Sequence, residues 1–390
     1  MNELKRLLKD NVKQYTMVLV LAGITIFFQI MTGGILLRPQ NVSNLVQQNA
    51  YVVILAVGMM ICILTGGNVD LSVGSVVAFV GAVCGALMIG TGMNFVLVIL
   101  ICIAVALLAG AWHGFWIAKF QIPAFIATLS GMLVFRGLTY AVLRGQTYFS
   151  YPEGFLTLTT GFLPDFFGWE GAPFHITTLV IGIVMSVLFV MLDAQRRMKK
   201  KRFGISVPSI AFFAVKQALL CSVVIGFFYL MACYKGMPIV LIPVGMIILI
   251  YSFVLNNTVF GRYIYAIGGN QKAAHLSGVD VKKVLFTCYV NMAFLAAIAG
   301  LVFTARLNSA SPKAGESFEL DAIAACYIGG ASATGGVGTI IGALIGALVM
   351  GLLNNGMSIM GIEIEIQMVV KGIVLLMAVV LDMLQKNKRK

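Results

Sequence analysis

The chain has 390 residues, of which 60% are hydrophobic and 11% charged, with a mean hydropathy of +0.99. Soluble domains carry about 25% charged residues, so this chain cannot hide its surface from water and lipid must be its solvent. Its formal charge of +13 sits in short clusters between apolar runs rather than over one soluble face, which excludes a nucleic-acid binder and suits a basic pattern that orients membrane spans.

Met1 to Asp10 is amphipathic and lacks a small-residue cleavage site. Residues 1–14 therefore read as a retained cytoplasmic segment rather than a signal peptide. A membrane helix needs about 20 apolar residues. Charge-poor runs place spans at Tyr15–Leu37, Leu45–Leu64, Leu71–Gly90, Asn94–Ala118, Ile122–Leu143 and Phe174–Leu192. Further spans follow at Pro208–Cys233, Pro238–Asn257, Val284–Ala305, Val337–Ile359 and Ile366–Met383. Leu320–Gly336 is too broken by glycine for a full span. It is expected to be re-entrant or a broken half-helix, buried against protein rather than lipid.

The fold class is thus an all-α polytopic bundle of about 10–12 transmembrane segments, one membrane domain over 15–383. Lys5, Arg6, Lys9 and Lys13 hold the N-terminus in the cytoplasm. Five crossings put Gly145–Pro173 outside, a loop with Glu153, Asp165 and Glu170 and no Lys or Arg. The basic loop 194–207, the polar loop 258–283 and the tail 384–390 are expected inside. Two related halves are a further expectation, from Val73-Gly74-Ser75 beside Val337-Gly338-Thr339 and His113-Gly114 beside Asn355-Gly356.

The loop Gly261–Val281 is long, polar and patterned. Gly268-Gly269-Asn270 reads as a turn with Asn270 as helix cap, Gln271–Leu276 as a short helix, and Gly278 as its end. Such a helix is either a solvated loop or a lever on which a partner pushes.

Lys272-Ala273-Ala274 followed by Gly278 resembles the Ala-Ala…Gly docking loop of the permease subunits of ATP-binding-cassette importers, although Lys272 replaces its usual glutamate and its Ile-x-Leu-Pro ending is missing. Both departures are similar to the ribose/xylose/galactose branch. So are Asp70-Leu71-Ser72-Val73-Gly74, Glu319 through Ala325, Gly329-Gly330 through Gly335-Gly336, Leu353 through Met357 and Met368 through Gly372. The resemblance runs from about Asn41 to Asp382. Gly110-Ala111-Trp112-x-Gly114 and Ile264 through Asn270 look most like its xylose-type members, and multi-sugar permeases share them.

This resemblance implies import of a monosaccharide across a bacterial inner membrane. It implies a separate ATPase that binds ATP and Mg, an extracytoplasmic sugar-binding protein, and a second copy completing the pore. It assigns ATPase coupling to Gly268, Gly269, Asn270, Ala273, Ala274, Ser277 and Gly278. No Gly-x-x-x-x-Gly-Lys-Ser/Thr phosphate loop occurs, so no cofactor is expected in this chain, and it is not expected to be an enzyme.

A sugar path needs hydroxyl partners and flat apolar faces. Candidates are Asp70, Ser72, Trp112, Phe125, Arg136, Asn291, Asn354, Asn355 and Gln367, with Asn49 and Phe135 near them. Asp70 either fixes a broken helix or caps a helix N-terminus. Arg136 either pairs with Asp70 or snorkels outward, and Lys371 is expected to snorkel. Gly300, Gly329, Gly338, Gly342 and Gly346 suit close helix packing. His113, His175 and His275 are far apart and make no triad or metal site. The seven cysteines lie in apolar runs without metal-ligand spacing. The competing readings are an ion-coupled secondary transporter and a membrane enzyme. The first needs coupling carboxylates, of which Asp70 reads as the only one in the apolar body, and the second needs a His or carboxylate cluster.

Overall fold

A computed structural model describes residues 12–169, 171–204, 207 and 209–387. Most of the expected N-terminal cytoplasmic segment and the last three basic residues lie outside that range. The helices are α1 (Val12–Met31), α2 (Pro39–Leu64), α3 (Val73–Met88), α4 (Phe95–Lys119), α5 (Ala124–Leu143), α6 (Glu153–Thr160), α7 (Ile176–Arg202) and α8 (Ile210–Ala232). They continue as α9 (Leu241–Asn257), α10 (Val259–Gly269), α11 (Gln271–Leu276), α12 (Val281–Leu307), α13 (Phe318–Ile328), α14 (Ile340–Ile359) and α15 (Ile364–Asn387). Two short strands, β1 (Tyr148–Phe149) and β2 (Ser309–Ala310), pair antiparallel, with Tyr148 opposite Ala310.

Among the described residues eight helices are long and apolar enough to cross a membrane, or nine with the α9–α10 pair, which bends by 70°. Their starts are set by local chemistry. Pro39 stands in the first turn of α2, and the side chains of Asn94, Ser209 and Thr339 accept backbone N–H groups of α4, α8 and α14.

At the centre stand α2 and α12. Val52 to Leu64 of α2 are buried without a break, so this helix has no face left for lipid. The hairpin α7–α8 stands at the edge with most of its apolar side chains outward, joined across by Lys216 Nζ to Asp193 at 2.8 Å.

The expected span at Leu71–Gly90 is not a full-length helix, and neither is the helix in the Leu320–Gly336 region. α3 has 16 residues and α13 has 11, or about 24 and 16 Å of helix against a hydrocarbon core of about 30 Å. Each follows a non-helical stretch inside the bundle, 65–72 before α3 and 308–317 before α13. With the second stretch, α13 is the broken half-helix expected at Leu320–Gly336, buried against protein. The chain leaves the β1–β2 end at Ser309 and reaches the opposite end at Gly336, whose N–H donates to Leu64 O at 3.0 Å. It crosses, half as coil and half as helix.

A repeat follows from these lengths. The order long, half, long, long occurs in α2–α5 and again in α12–α15. α2 ends beside Gly268, near where α12 begins, so the second unit runs opposite to the first. The half-helices α3 and α13 correspond, with Ser72 and Ser317 at their N-caps. This differs from the sequence pairing of Val73 with Val337, which matched two glycine-rich helix starts rather than two broken helices.

Candidate functional site

The two broken segments meet. A Cβ at Gly74 would stand 2.2 Å from Gly315 O, and one at Gly315 would stand 2.1 Å from Gly74 O. Only glycine lets the backbones touch here, and Gly315 also holds φ +70°. Irregular backbone inside a membrane bundle must find partners within the protein. Arg136 of α5 supplies them, donating from one guanidinium nitrogen to Pro312 O at 3.0 Å and Ala314 O at 2.6 Å. Arg136 therefore neither pairs with Asp70 nor snorkels. Asp70, 3% exposed, accepts from Ser72 N at 2.8 Å and Ser72 Oγ at 2.6 Å. Of its two readings, the geometry is that of a carboxylate at the N-terminus of α3, favoured by the helix dipole.

Beside this crossing the half-helix α13 is clamped. Lys371 of α15 lies 3.0 Å from Asp321, with side chains 20% and 4% exposed. Lys371 thus does not snorkel, and Asp70 is not the only carboxylate in the apolar body. Asn354 lies beside Asp321 and borders a cleft of about 20 Å³ with Gln48, Asn49, Tyr51 and Gly351. Tyr51 stacks on Phe318 at 4.1 Å, and Phe303 meets both rings edge-on. The cleft has room for one water and not for a sugar ring, so a solute would have to part α2 from α14.

The other path candidates are scattered. Asn355 exchanges two amide hydrogen bonds with Asn41, at 2.9 and 3.2 Å, joining α14 to α2. Asn49 donates to Ala347 O at 2.8 Å, and Asn291 pairs with the Tyr251 hydroxyl. Gln367 closes a local turn onto Ile362 O. Trp112 meets Phe135 edge-on at 5.9 Å, whereas Phe125 is exposed on the bundle surface. Among the path candidates Asn49 and Asn354 line this cleft. Tyr51, Phe303, Phe318, Asp321 and Lys371 were missed. The signal for the last two was present: a base inside the last apolar run and an acid, close after Glu319, at the head of the Ala322–Ile328 run.

The second part of the site is the segment α10–α11. Thr258 caps α10 through Gly261 N, and Ile264 and Ile267 are buried against the bundle. A Cβ at Gly268 would stand 1.9 Å from Leu64 O and 2.4 Å from Gly336 N. Tyr265 donates to Gly338 O at 2.9 Å. α10 is thus seated on the end of α2 and on the loop joining α13 to α14.

α11 stands clear of the bundle. Asn270 Oδ1 accepts from Ala273 N at 3.0 Å, as the expected cap. Gly278, at φ +87°, ends the helix with Gly278 N to His275 O and Val279 N to Ala274 O, the two bonds of a Schellman ending. Ala274 is its buried anchor, Ser277 Oγ donates back to Ala273 O, and Gly269 has open space around it. Leu276 is 87% exposed. Leu276 is thus an apolar side chain held out on a capped helix that α10 joins to the end of α2 and the loop before α14.

A family model described as "Branched-chain amino acid transport system / permease component" matches residues 41–379. The xylose transport system permease protein of Escherichia coli (strain K12) is 37% identical over 378 residues, 97% of this chain and 93% of the relative. That of Haemophilus influenzae is 36% identical over 97% of this chain and 98% of its own. The ribose import permease protein of Escherichia coli (strain K12) is 36% identical over 88% of this chain and 85% of its own. No solved structure matches.

Proposed function

Because the chain belongs to the family of transport-system permeases that includes the xylose and ribose permeases of ATP-binding-cassette importers, we propose that it imports a pentose or related monosaccharide, xylose first. It is a permease subunit and not the ATPase. In this reading a partner ATPase cradles α11, and closure of the ATPase pair pushes Leu276 and α10. The glycine junction at Gly268 and Gly336 passes the push to α2 and to the loop before α14. The half-helices α3 and α13 then shift at the Gly74–Gly315 crossing, and access alternates.

The observation that carries this reading is the seating of the C-terminal half of α10, which leads into the exposed α11 and packs against the end of α2 and the loop between α13 and α14. The sugar slides past Tyr51, Phe318 and Asn354 once the cleft opens. A second copy completes the pore, an extracytoplasmic receptor delivers the sugar, and both termini lie in the cytoplasm. The ion-coupled alternative is disfavoured because Asp321 already holds a cationic partner.

The test is ATP-dependent uptake of labelled xylose by cells lacking their own pentose importers, carrying this chain with its neighbouring ATPase and binding protein. Displacement by unlabelled xylose alone supports the proposal in full. Displacement by arabinose, galactose, glucose or ribose as well makes it a multi-sugar permease. No uptake of any of them overturns the sugar assignment.

A further inference from the structure

On α4 small residues recur every four positions, Ala106, Gly110, Gly114 and Ala118, and all four are buried. They let α12 approach closely: a Cβ at Gly110 would stand 2.7 Å from Val290 Cα, and one at Gly114 2.8 Å from the Phe286 ring. At the end of this seam the two helices leave a groove of about 320 Å³ open to the surroundings. Its floor is Gly114 and Ala118, its walls are the rings of Phe115 and Phe286, and its rim is Lys119, Lys282 and Lys283.

The three ammonium groups come from two spanning helices. Lys119 is in the last turn of α4, and Lys282 and Lys283 are in the first turn of α12, directly after α11. All are exposed, and no described carboxylate pairs with any of them. Lys119 Nζ lies 5.3 Å from the Phe115 centroid, and the Asp280 carboxylate is turned to the backbone N–H of Lys283 as a helix cap. Cations at the ends of membrane helices stand at headgroup depth, with the apolar part of the groove below them among the acyl chains.

We propose that this groove binds an anionic phospholipid from the leaflet next to α11, the phosphate between the three lysines and one acyl chain against Phe115 and Phe286. Charge complementarity selects this occupant. A free anion has no use for the apolar walls. A second copy of this chain docked here about a two-fold axis would set lysine against lysine. The site places a lipid beside the helix that receives the ATPase.

The purified full chain in detergent is titrated with phosphatidylglycerol or phosphatidylethanolamine, and bound lipid is counted by native mass spectrometry. Wild type is expected to hold phosphatidylglycerol at about tenfold higher occupancy than phosphatidylethanolamine, and K119Q/K282Q/K283Q to lose that preference. The changed side chains are exposed, so the variant folds, which its unchanged thermal midpoint checks. A phosphatidylglycerol with a photoreactive acyl chain is expected to label the peptides holding Phe115 or Phe286. Equal occupancy by the two lipids, or an unchanged preference in the triple variant, overturns the proposal. So does displacement by inorganic phosphate or glycerol phosphate, which makes this a site for soluble anions. Loss of ATPase co-purification by the triple variant with its lipid preference intact also overturns it, because the lysines then serve the ATPase.

Discussion

The Lys371 ammonium lies 3.0 Å from the Asp321 carboxylate, although the two residues are 50 positions apart in the chain. The pair ties the half-helix α13 to α15. Removing one partner of a buried ion pair leaves the other charge uncompensated, at a cost of about 3–5 kcal/mol, whereas removing both together costs far less. Lys371→Met is therefore expected to lower the thermal midpoint sharply and abolish uptake. Lys371→Met with Asp321→Leu is expected to regain most of the midpoint. Additive losses in the double variant would show that the two residues act separately.

Leu276 is exposed on α11, and Gly278 ends α11 in the left-handed region. Leu276→Asp is expected to shift stability by no more than about 0.5 kcal/mol, as surface changes do, while the ATPase no longer co-purifies and uptake is lost. Gly278→Asp is expected to insert at normal abundance and to transport nothing. Full transport by either variant at normal abundance would remove α11 from the coupling route.

At Gly315 an added methyl group meets Gly74 O at 2.1 Å, and the backbone sits at φ +70°. Gly315→Ala is expected to cost at least about 1–3 kcal/mol and to stop uptake, since the crossing must spread. Gly372→Ala, where a Cβ meets nothing within 4 Å, is the matched control and is expected to behave as wild type. Thermal unfolding and uptake of the two variants side by side check this.

On the β1–β2 side of the bundle, Asp165 accepts from Ile176 N, Thr177 N and Thr177 Oγ at 2.6–2.9 Å and lies 3.7 Å from His175. Desolvation pushes its carboxyl pKa up, but the Thr177 and Ile176 hydrogen bonds and His175 outweigh it, and the group is held well below the usual carboxylate range. A depressed folded-state pKa gives stability that is fully present above the unfolded value of about 3.9 and is lost as pH falls through the lower folded value. Asp165→Asn is expected to lower the midpoint at pH 7 and to match wild type only in strong acid. A midpoint gap that stays constant down to strong acid would contradict the assignment.

The spans and the capped segment α11 were legible because they rest on local rules. An apolar run marks a span, and Asn270 and Gly278 mark the ends of α11 in a few letters. The half-helices were half legible: glycines in 329–336 announced the break around α13, but the 16-residue α3 reads as a full span because Leu71 and Val73 continue its apolar run across Ser72. The site interior was not legible, since Arg136 binds main-chain carbonyls, which carry no sequence signal. Asn354 and Asn355 are neighbours with unlike surroundings, one at the cleft and one paired with Asn41, because adjacent helix residues point about 100° apart.

The opposed run of α2–α5 and α12–α15 bears on the energetics of the cycle. Two units of like shape and contrary sense can exchange conformations, and the exchange turns the molecule's opening from one face of the membrane to the other. Under the proposed function, the inward and outward forms would rest on related sets of contacts made by the two repeats. In the proposed function, nucleotide binding by the partner ATPase then only has to choose which repeat is bent.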